Sequence, residues 1–279
     1  MNLHTINTGL FRLDGGAMFG VVPKSIWSKT NPSNEKNMCP WAMRCLLVET
    51  SKKLILIDTG IGNKQSEKFF SHFYLHGDYS LEKSINNKGF STDDITDVIF
   101  THLHFDHCGG AVKKNGKEYS LTFSKAKHWT NKRHWDWAMN PNKREKASFL
   151  KENFVPIKEM GKLNFLEEGI FNKHIEIKFF HGHTESQMIP FIHINKKTII
   201  FCADLLPSTG HIPLPYVMGY DVRPLITLNE KEKFLNEAFE KEYILFLEHD
   251  YYNECCKIGK NGDKFIVKEK GTLNDLLNN

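Results

Sequence analysis

An α/β fold is what these 279 residues predict, and three observations carry it. Short apolar runs recur along the chain, and each ends in a histidine or an aspartate. Segments with apolar residues at helical spacing lie between those runs. Hydrophobic residues make up 40% and charged residues 25%, an ordinary globular balance that buries a core without disulfides or a structural metal.

The apolar runs read as buried strands. Leu54-Ile55-Leu56-Ile57 leads into Asp58-Thr59-Gly60, and Val98-Ile99-Phe100 leads into Thr101-His102. Residues 175–180 lead into His181-Gly182-His183, residues 198–203 into Asp204, and residues 243–247 into Glu248-His249. In layered α/β folds the ligand site lies outside strand ends, where loops converge. Five such endings on one edge would gather these side chains into a single site.

Between the strands, residues 64–76 carry Phe69, Phe70, Phe73 and Tyr74 as a helical stripe. Residues 81–88 end at Gly89, the residue type that terminates helices. Asn229 with Glu232 three positions on forms a capping-box pattern, expected to open a helix with Phe234, Leu235, Ala238 and Phe239 on one face. Residues 130–160 are expected to be helical in parts, with breaks at Pro141 and Pro156. Asn261-Gly262 between apolar runs marks a hairpin. No low-complexity linker or short repeat interrupts the pattern, so a single domain over residues 1–279 is expected. Residues 1–40 read as an N-terminal loop. Its apolar, glycine-rich stretch, residues 15–27, suits a cover over the pocket or a subunit contact in a homodimer.

Charge and composition narrow the function classes. The net charge is +4, and the lysines are scattered rather than interleaved with aromatics, so no nucleic-acid partner is expected. No apolar stretch approaches the roughly 18 residues of a membrane span. The start, Met1-Asn2-Leu3-His4-Thr5, shows no basic region followed by an apolar run, so no signal peptide is expected. Cys39, Cys45, Cys108, Cys202, Cys255 and Cys256 show neither a zinc-ribbon nor a disulfide spacing. These observations point to a reducing, cytoplasmic setting and a small-molecule substrate.

The chemistry concentrates in His102-Leu103-His104-Phe105-Asp106-His107. Imidazole and carboxylate together suit zinc and its first-row neighbours. A continuing strand would send His102 and His104 to one face, where they can share a metal. Asp106 and His107 follow at the turn and can face a second metal. Gly109-Gly110 is expected to supply backbone freedom for that turn.

With a strand before it and a glycine pair after it, this run resembles the signature of the metallo-β-lactamase superfamily. Gly182-His183-Thr184 resembles that family's second motif, Asp204 its bridging carboxylate, His249 its final histidine, and Asp58-Thr59-Gly60 its upstream aspartate motif. The resemblance covers about residues 40 to 250. It implies an αββα four-layer sandwich, with two mixed sheets face to face and helices outside. It also implies that His102, His104 and His183 hold one metal, that Asp106, His107 and His249 hold a second, and that Asp204 bridges them. The family carries a glycine two residues after the threonine of the second motif; Ser186 stands there, so the loop is expected to bend differently.

Two adjacent divalent cations, zinc first and manganese, cobalt or iron as alternatives, can share one water and lower its pKa to about 7. The resulting hydroxide attacks a carbonyl or phosphoryl centre. Asp106 is the catalytic candidate that orients the nucleophile and carries its proton. Asp58, the second candidate, is expected to hold a ligand or loop in place. His211 and Tyr216, in the proline-rich stretch after Asp204, are the substrate-binding candidates. His181 is expected to be structural, His72, His76, His128, His134, His174 and His193 to be surface or core residues, and Cys108 and Cys202 to be small packing residues.

Within the family, residues 101–110, 202–208 and Glu248-His249-Asp250 resemble the lactonase-like branch, which includes quorum-quenching acyl-homoserine lactonases and methyl-parathion-type phosphotriesterases. That branch implies a lactone or ester hydrolase, with phosphotriester or thioester hydrolysis as the alternative on the same metals. Some lactonases use a tyrosine shortly after the bridging aspartate; Pro207 stands in that neighbourhood here, and the next tyrosine is Tyr216. A diiron redox protein or a non-catalytic metal-binding protein on the same scaffold is a third class, and His104 argues against the diiron branch, because that branch has glutamate in its first motif.

Overall fold

The structure, a computed structural model, describes residues 1–278. The chain divides into two compact units: residues 1–10 with 43–167, and residues 11–42 with those from 168 onward. The first eight strands are β1 (Asn2–Asp14), β2 (Met38–Glu49), β3 (Leu54–Ile57), β4 (Asp97–Ile99), β5 (Val112–Asn115), β6 (Glu118–Leu121), β7 (Lys127–Thr130) and β8 (Leu163–Phe165). A six-stranded sheet takes them in the order β1-β2-β3-β4-β7-β8, while β5 and β6 form a hairpin of their own. The end of β1 and the beginning of β2 count with the second unit.

In the first unit β3, β4 and β7 run parallel, with Ile57 paired to Ile99 and Ile99 to Trp129. Their carboxyl ends therefore share one edge, and Asp58, Thr101-His102 and Asn131 all leave from it. All four residues of β3 and all three of β4 are buried, the continuous burial expected of parallel strands covered on both faces. Ile6, Leu47, Leu56, Val98, Phe100, Phe123 and Trp135 contribute to the core beneath.

The second unit carries β9 (Gly169–Asn172), β10 (Ile175–Phe180), β11 (Gln187–Ile194), β12 (Lys197–Phe201), β13 (Ile244–Phe246), β14 (Cys255–Asn261) and β15 (Lys264–Gly271). They form one sheet in the order β15-β14-β13-β12-β11-β10-β9. Strands β12 and β13 are parallel, with Phe201 paired to Phe246. Strand β11 is antiparallel to both β12 and β10, so β10 points the same way as β12. His183, Asp204 and His249 thus follow strand ends at one edge of this sheet. The helix Pro224–Glu240 buries Thr227, Lys231, Phe234, Leu235 and Ala238.

Several expectations change. Residues 1–40 are not a loop: Asn2–Asp14 is a strand, and Gly15–Phe19 and Lys24–Trp27 are short helices. Asp14 caps the first of these by accepting from Ala17 N, and the Trp27 ring fills the space where a Cβ on Gly15 would lie, 2.3 Å away. The glycines here permit close packing inside the second unit. Only Glu67–Ser71 of residues 64–76 is α-helical. The late helix begins at Pro224, whose fixed φ suits the first turn, so Asn229 lies inside it rather than at its cap, and Phe239 is 38% exposed. Pro156 opens the helix Val155–Glu159 instead of breaking one. Other expectations match: the helix Leu81–Asn86 is followed by Gly89 at φ +84°, and Gly262 turns between β14 and β15. Among the described residues no helix is long and apolar enough to cross a membrane.

The glycine pair after the histidine run also acts differently from expectation. Neither Gly109 nor Gly110 has positive φ. A Cβ on Gly109 would lie 2.1 Å from the Ile61 carbonyl oxygen, and one on Gly110 2.1 Å from that of Thr59. Two backbones pass too closely for any side chain. Gly110→Ala is expected to cost about 2 kcal/mol, which lowers Tm by roughly 4–8 °C; a melt coincident with the parent protein would refute this account of the pair.

His128 on β7 is fully buried, with its ring 5.9 Å from Phe100 and 6.4 Å from Phe123. Burial, assisted by Lys162, lowers its pKa from 6.5 to about 4. Between those values the unfolded chain binds the extra proton, so stability falls as pH drops through that window. His128→Phe is expected to remove this share of the acid sensitivity, seen in denaturant unfolding at pH 7 and pH 5. An unchanged pH dependence would exclude His128 as its source.

Candidate metal centre

In the first unit the histidine run stands on Asp58, which is fully buried at positive φ directly after β3. Its Oδ1 accepts from Thr101 N (2.8 Å), and its Oδ2 accepts from Thr101 Oγ1 (2.6 Å) and His107 Nδ1 (3.1 Å). Thr101 Oγ1 then accepts from His102 Nδ1 at 3.0 Å. Thr59 clamps the other side, donating through N and Oγ1 to the His107 carbonyl.

Strand β4 ends at Ile99, so strand alternation does not pair His102 with His104 as expected. His104 is instead the N-cap residue of the short helix Phe105–Cys108, which contains Asp106 and His107. The turn brings His102 Nε2 to 3.0 Å from His104 Nδ1. His104 Nε2 donates to Glu145 Oε1 at 3.0 Å. His107 Nε2 lies 3.8 Å from Asp106 Oδ2.

The second unit repeats the design. His183 Nδ1 donates to Asp221 Oδ1 at 2.8 Å, and His249 Nδ1 donates to the Ala42 carbonyl at 2.8 Å. His183 Nε2 lies 3.1 Å from Asp204 Oδ2, and His249 Nε2 lies 3.1 Å from Asp204 Oδ1. Glu230 accepts from His181 N and Gly182 N, and Arg223 bonds the His181 carbonyl and Glu185, which steadies the loop around His183. Ser186 sits at φ +53°, so it takes up the left-handed conformation that glycine holds most cheaply.

These bonds decide which nitrogen of each ring carries its hydrogen. Carbonyls and ionised carboxylates only accept, and Thr101 spends its own hydrogen on Asp58. The engaged nitrogens of all five imidazoles are therefore donors, and their other nitrogens hold lone pairs. His102 and His104 face one another lone pair to lone pair, and Asp204 presents carboxylate lone pairs to His183 and His249. Such facings repel unless a cation lies among them. At His183 a proton can be that cation: burial opposes its charging, yet Asp204 and Asp221 outweigh burial and raise its pKa to about 10, so a metal would displace a proton from Nε2. The donor set fits a divalent metal.

His211 does not line a pocket as expected. It is 1% exposed, stacked on Phe19 at 4.4 Å, with Nδ1 bonded to Ser208 and Nε2 donating to the Met18 carbonyl. Burial lowers its pKa to about 3, so it is a neutral packing residue. Tyr216 is half-buried, edge-on to Phe19 at 6.4 Å. His181 is bound into the loop network, consistent with the structural role expected for it. Burial raises the Cys108 thiol to about 12, which keeps it protonated beside His107. Residues outside the expected set matter too: Glu145, Asp221, the Ala42 carbonyl and His134, whose Nε2 accepts from Leu103 N at 2.8 Å. None of them stands in a motif, and no spacing signal could have found them.

The model of the metallo-beta-lactamase superfamily matches residues 44–249. An N-acyl homoserine lactonase of Bacillus thuringiensis is 24% identical over 252 residues, 84% of this chain and 90% of the relative. A crystal structure from Staphylococcus aureus, described as a probable metal-dependent hydrolase, superposes with a TM-score of 0.87 at 30% identity, over 96% of this chain and 97% of that one. AidC, a dizinc quorum-quenching lactonase in complex with a product, has the same fold, with a TM-score of 0.79 at 23% identity over 95% of this chain and 92% of its own. The family match spans most of the sequence and takes in every donor described, and the chain accordingly belongs to the metallo-beta-lactamase superfamily as a metal-dependent hydrolase.

Proposed function

We propose that this hydrolase uses two divalent cations, zinc first among them, and opens a lactone or ester. The observation that carries the reading is Asp204, whose two oxygens face two different imidazoles at 3.1 Å each. A carboxylate so flanked suits a ligand shared between two cations. By the family resemblance, His102, His104 and His183 would hold one, Asp106, His107 and His249 the other, and the two units would act as one domain. When bound, the cations supply Lewis acidity toward a substrate oxygen and an acidified water.

The chain's own residues do the rest. Asp106, 8% exposed, takes the proton of the attacking water and returns it to the leaving group. Asp58 supports His102 and His107 and touches no reacting atom. Tyr216 is the residue we assign to the substrate oxygen, in place of the tyrosine that other lactonases carry nearer the bridging aspartate. The lactone class rests on the relatives, since an N-acyl homoserine lactonase and a dizinc quorum-quenching lactonase are among them. The six cysteines are all buried free thiols, which agrees with a cytoplasmic setting.

A panel of acyl-homoserine lactones, aryl esters, thioesters and phosphotriesters on zinc-loaded protein tests the substrate class. Lactone turnover at least tenfold above the other classes is expected, and a preference for phosphotriesters or thioesters would replace the lactone reading. His104→Ala and Asp204→Ala are each expected to lose bound metal, measured by elemental analysis, together with turnover; either variant retaining two metals and full activity would sink the two-metal assignment. Asp58→Ala acts through the fold. It strands three buried donors, costs about 3 kcal/mol or more and lowers Tm by roughly 6–12 °C, which a thermal melt of the metal-free protein reads.

A further inference from the structure

Beside the histidine run lies a buried carboxylate. Glu145, 4% exposed, stands between the helix Lys132–Met139 and the turn at Lys151–Asn153. Its Oε1 accepts from His104 Nε2 at 3.0 Å. Its Oε2 accepts from Trp137 Nε1 at 2.7 Å and from Asn142 Nδ2 at 3.1 Å. The same segment grips the run twice more: Phe105 N donates to the Ser148 carbonyl, and the Phe149 ring lies 4.8 Å from that of His104.

An imidazole ring can turn over, and the two orientations exchange its nitrogens. With the Trp137 and Asn142 donors converging on it, the Glu145 carboxylate is held as an acceptor. A His104 lone pair turned toward it would be repelled, so Nε2 must carry the hydrogen and Nδ1 must face His102. We propose that Glu145 is a positioning residue: it fixes His104 in the orientation that makes Nδ1 the donor atom, and so sets the affinity for the metal His104 shares with His102. This rests on the two-metal reading above. A carboxylate in this place also raises the basicity of the imidazole beyond what a neutral acceptor provides.

Zinc affinity, measured by competition with a chromophoric chelator, tests the proposal without reference to turnover. Glu145→Ala is expected to weaken zinc binding about 10–100-fold. Glu145→Gln, whose amide oxygen still accepts from Nε2, is expected to lose roughly 3–10-fold. Asn142→Ala loosens the same segment but leaves His104 its acceptor, so it should lower Tm and leave zinc affinity unchanged. Parental affinity in Glu145→Ala, or an equal loss in Asn142→Ala, would overturn the proposal. If Glu145→Ala does not fold, Glu145→Gln decides: weakened zinc binding at unchanged Tm supports the proposal, and unchanged binding overturns it. Two zinc ions in the parent protein with no effect of Glu145 variants would refute this inference alone, whereas no zinc in the parent protein would refute the two-metal reading and this inference with it.

Discussion

A histidine aims one nitrogen only when the other is held, and this structure depends on that constraint. Each of the five imidazoles, on His102, His104, His107, His183 and His249, donates from one nitrogen to an acceptor of the protein: Thr101, Glu145, Asp58, Asp221 and the Ala42 carbonyl. The acceptors fix ring orientation, so the second nitrogen of all five rings is aimed before any ligand arrives. A side chain rotating freely would have to be ordered on binding, at a cost in entropy. Here folding has already ordered it.

Holding the acceptors still is the work of the sheets. The parallel register of Ile57 with Ile99 sets Asp58 beside Thr101 although residues 58–96 run between the two strands, and that of Phe201 with Phe246 sends Asp204 and His249 out together. Close backbone approach finishes the first unit: Gly109 and Gly110 lie against the carbonyls of Ile61 and Thr59, and Thr59 grips the His107 carbonyl. In the first unit, core, strand register and the histidine run are therefore held by the same contacts. A defect at Gly110 reaches His107 through two residues of backbone.

The stretch after Asp204 shows how a loop becomes rigid. Its prolines restrict φ, yet they donate no hydrogen bonds. Lys231, buried on the helix Pro224–Glu240, supplies the missing donor to the carbonyls of Pro213, Leu214 and Tyr216. Asp250 holds the beginning of the loop through Thr209, and neutral His211 fills its underside against Phe19. Tyr216 is thereby presented from a fixed backbone.

Legible in the sequence were the α/β class and the strand ends that carry histidines and aspartates, because short buried strands leave apolar runs with polar side chains at their ends. The sequence misjudged the N-terminal 40 residues, where glycines serve close packing and strand burial does not follow an alternating pattern. It read His211 as facing a substrate because position after Asp204 cannot report which way a ring turns. Asp58 behind His107 was legible as a support, but three of the acceptors behind the imidazoles emerge only in the folded chain. Glu145 lies 41 positions from His104, Asp221 38 from His183, and Ala42 207 from His249. A hydrogen bond between residues so far apart leaves no local spacing to read, since folding alone brings its two ends together.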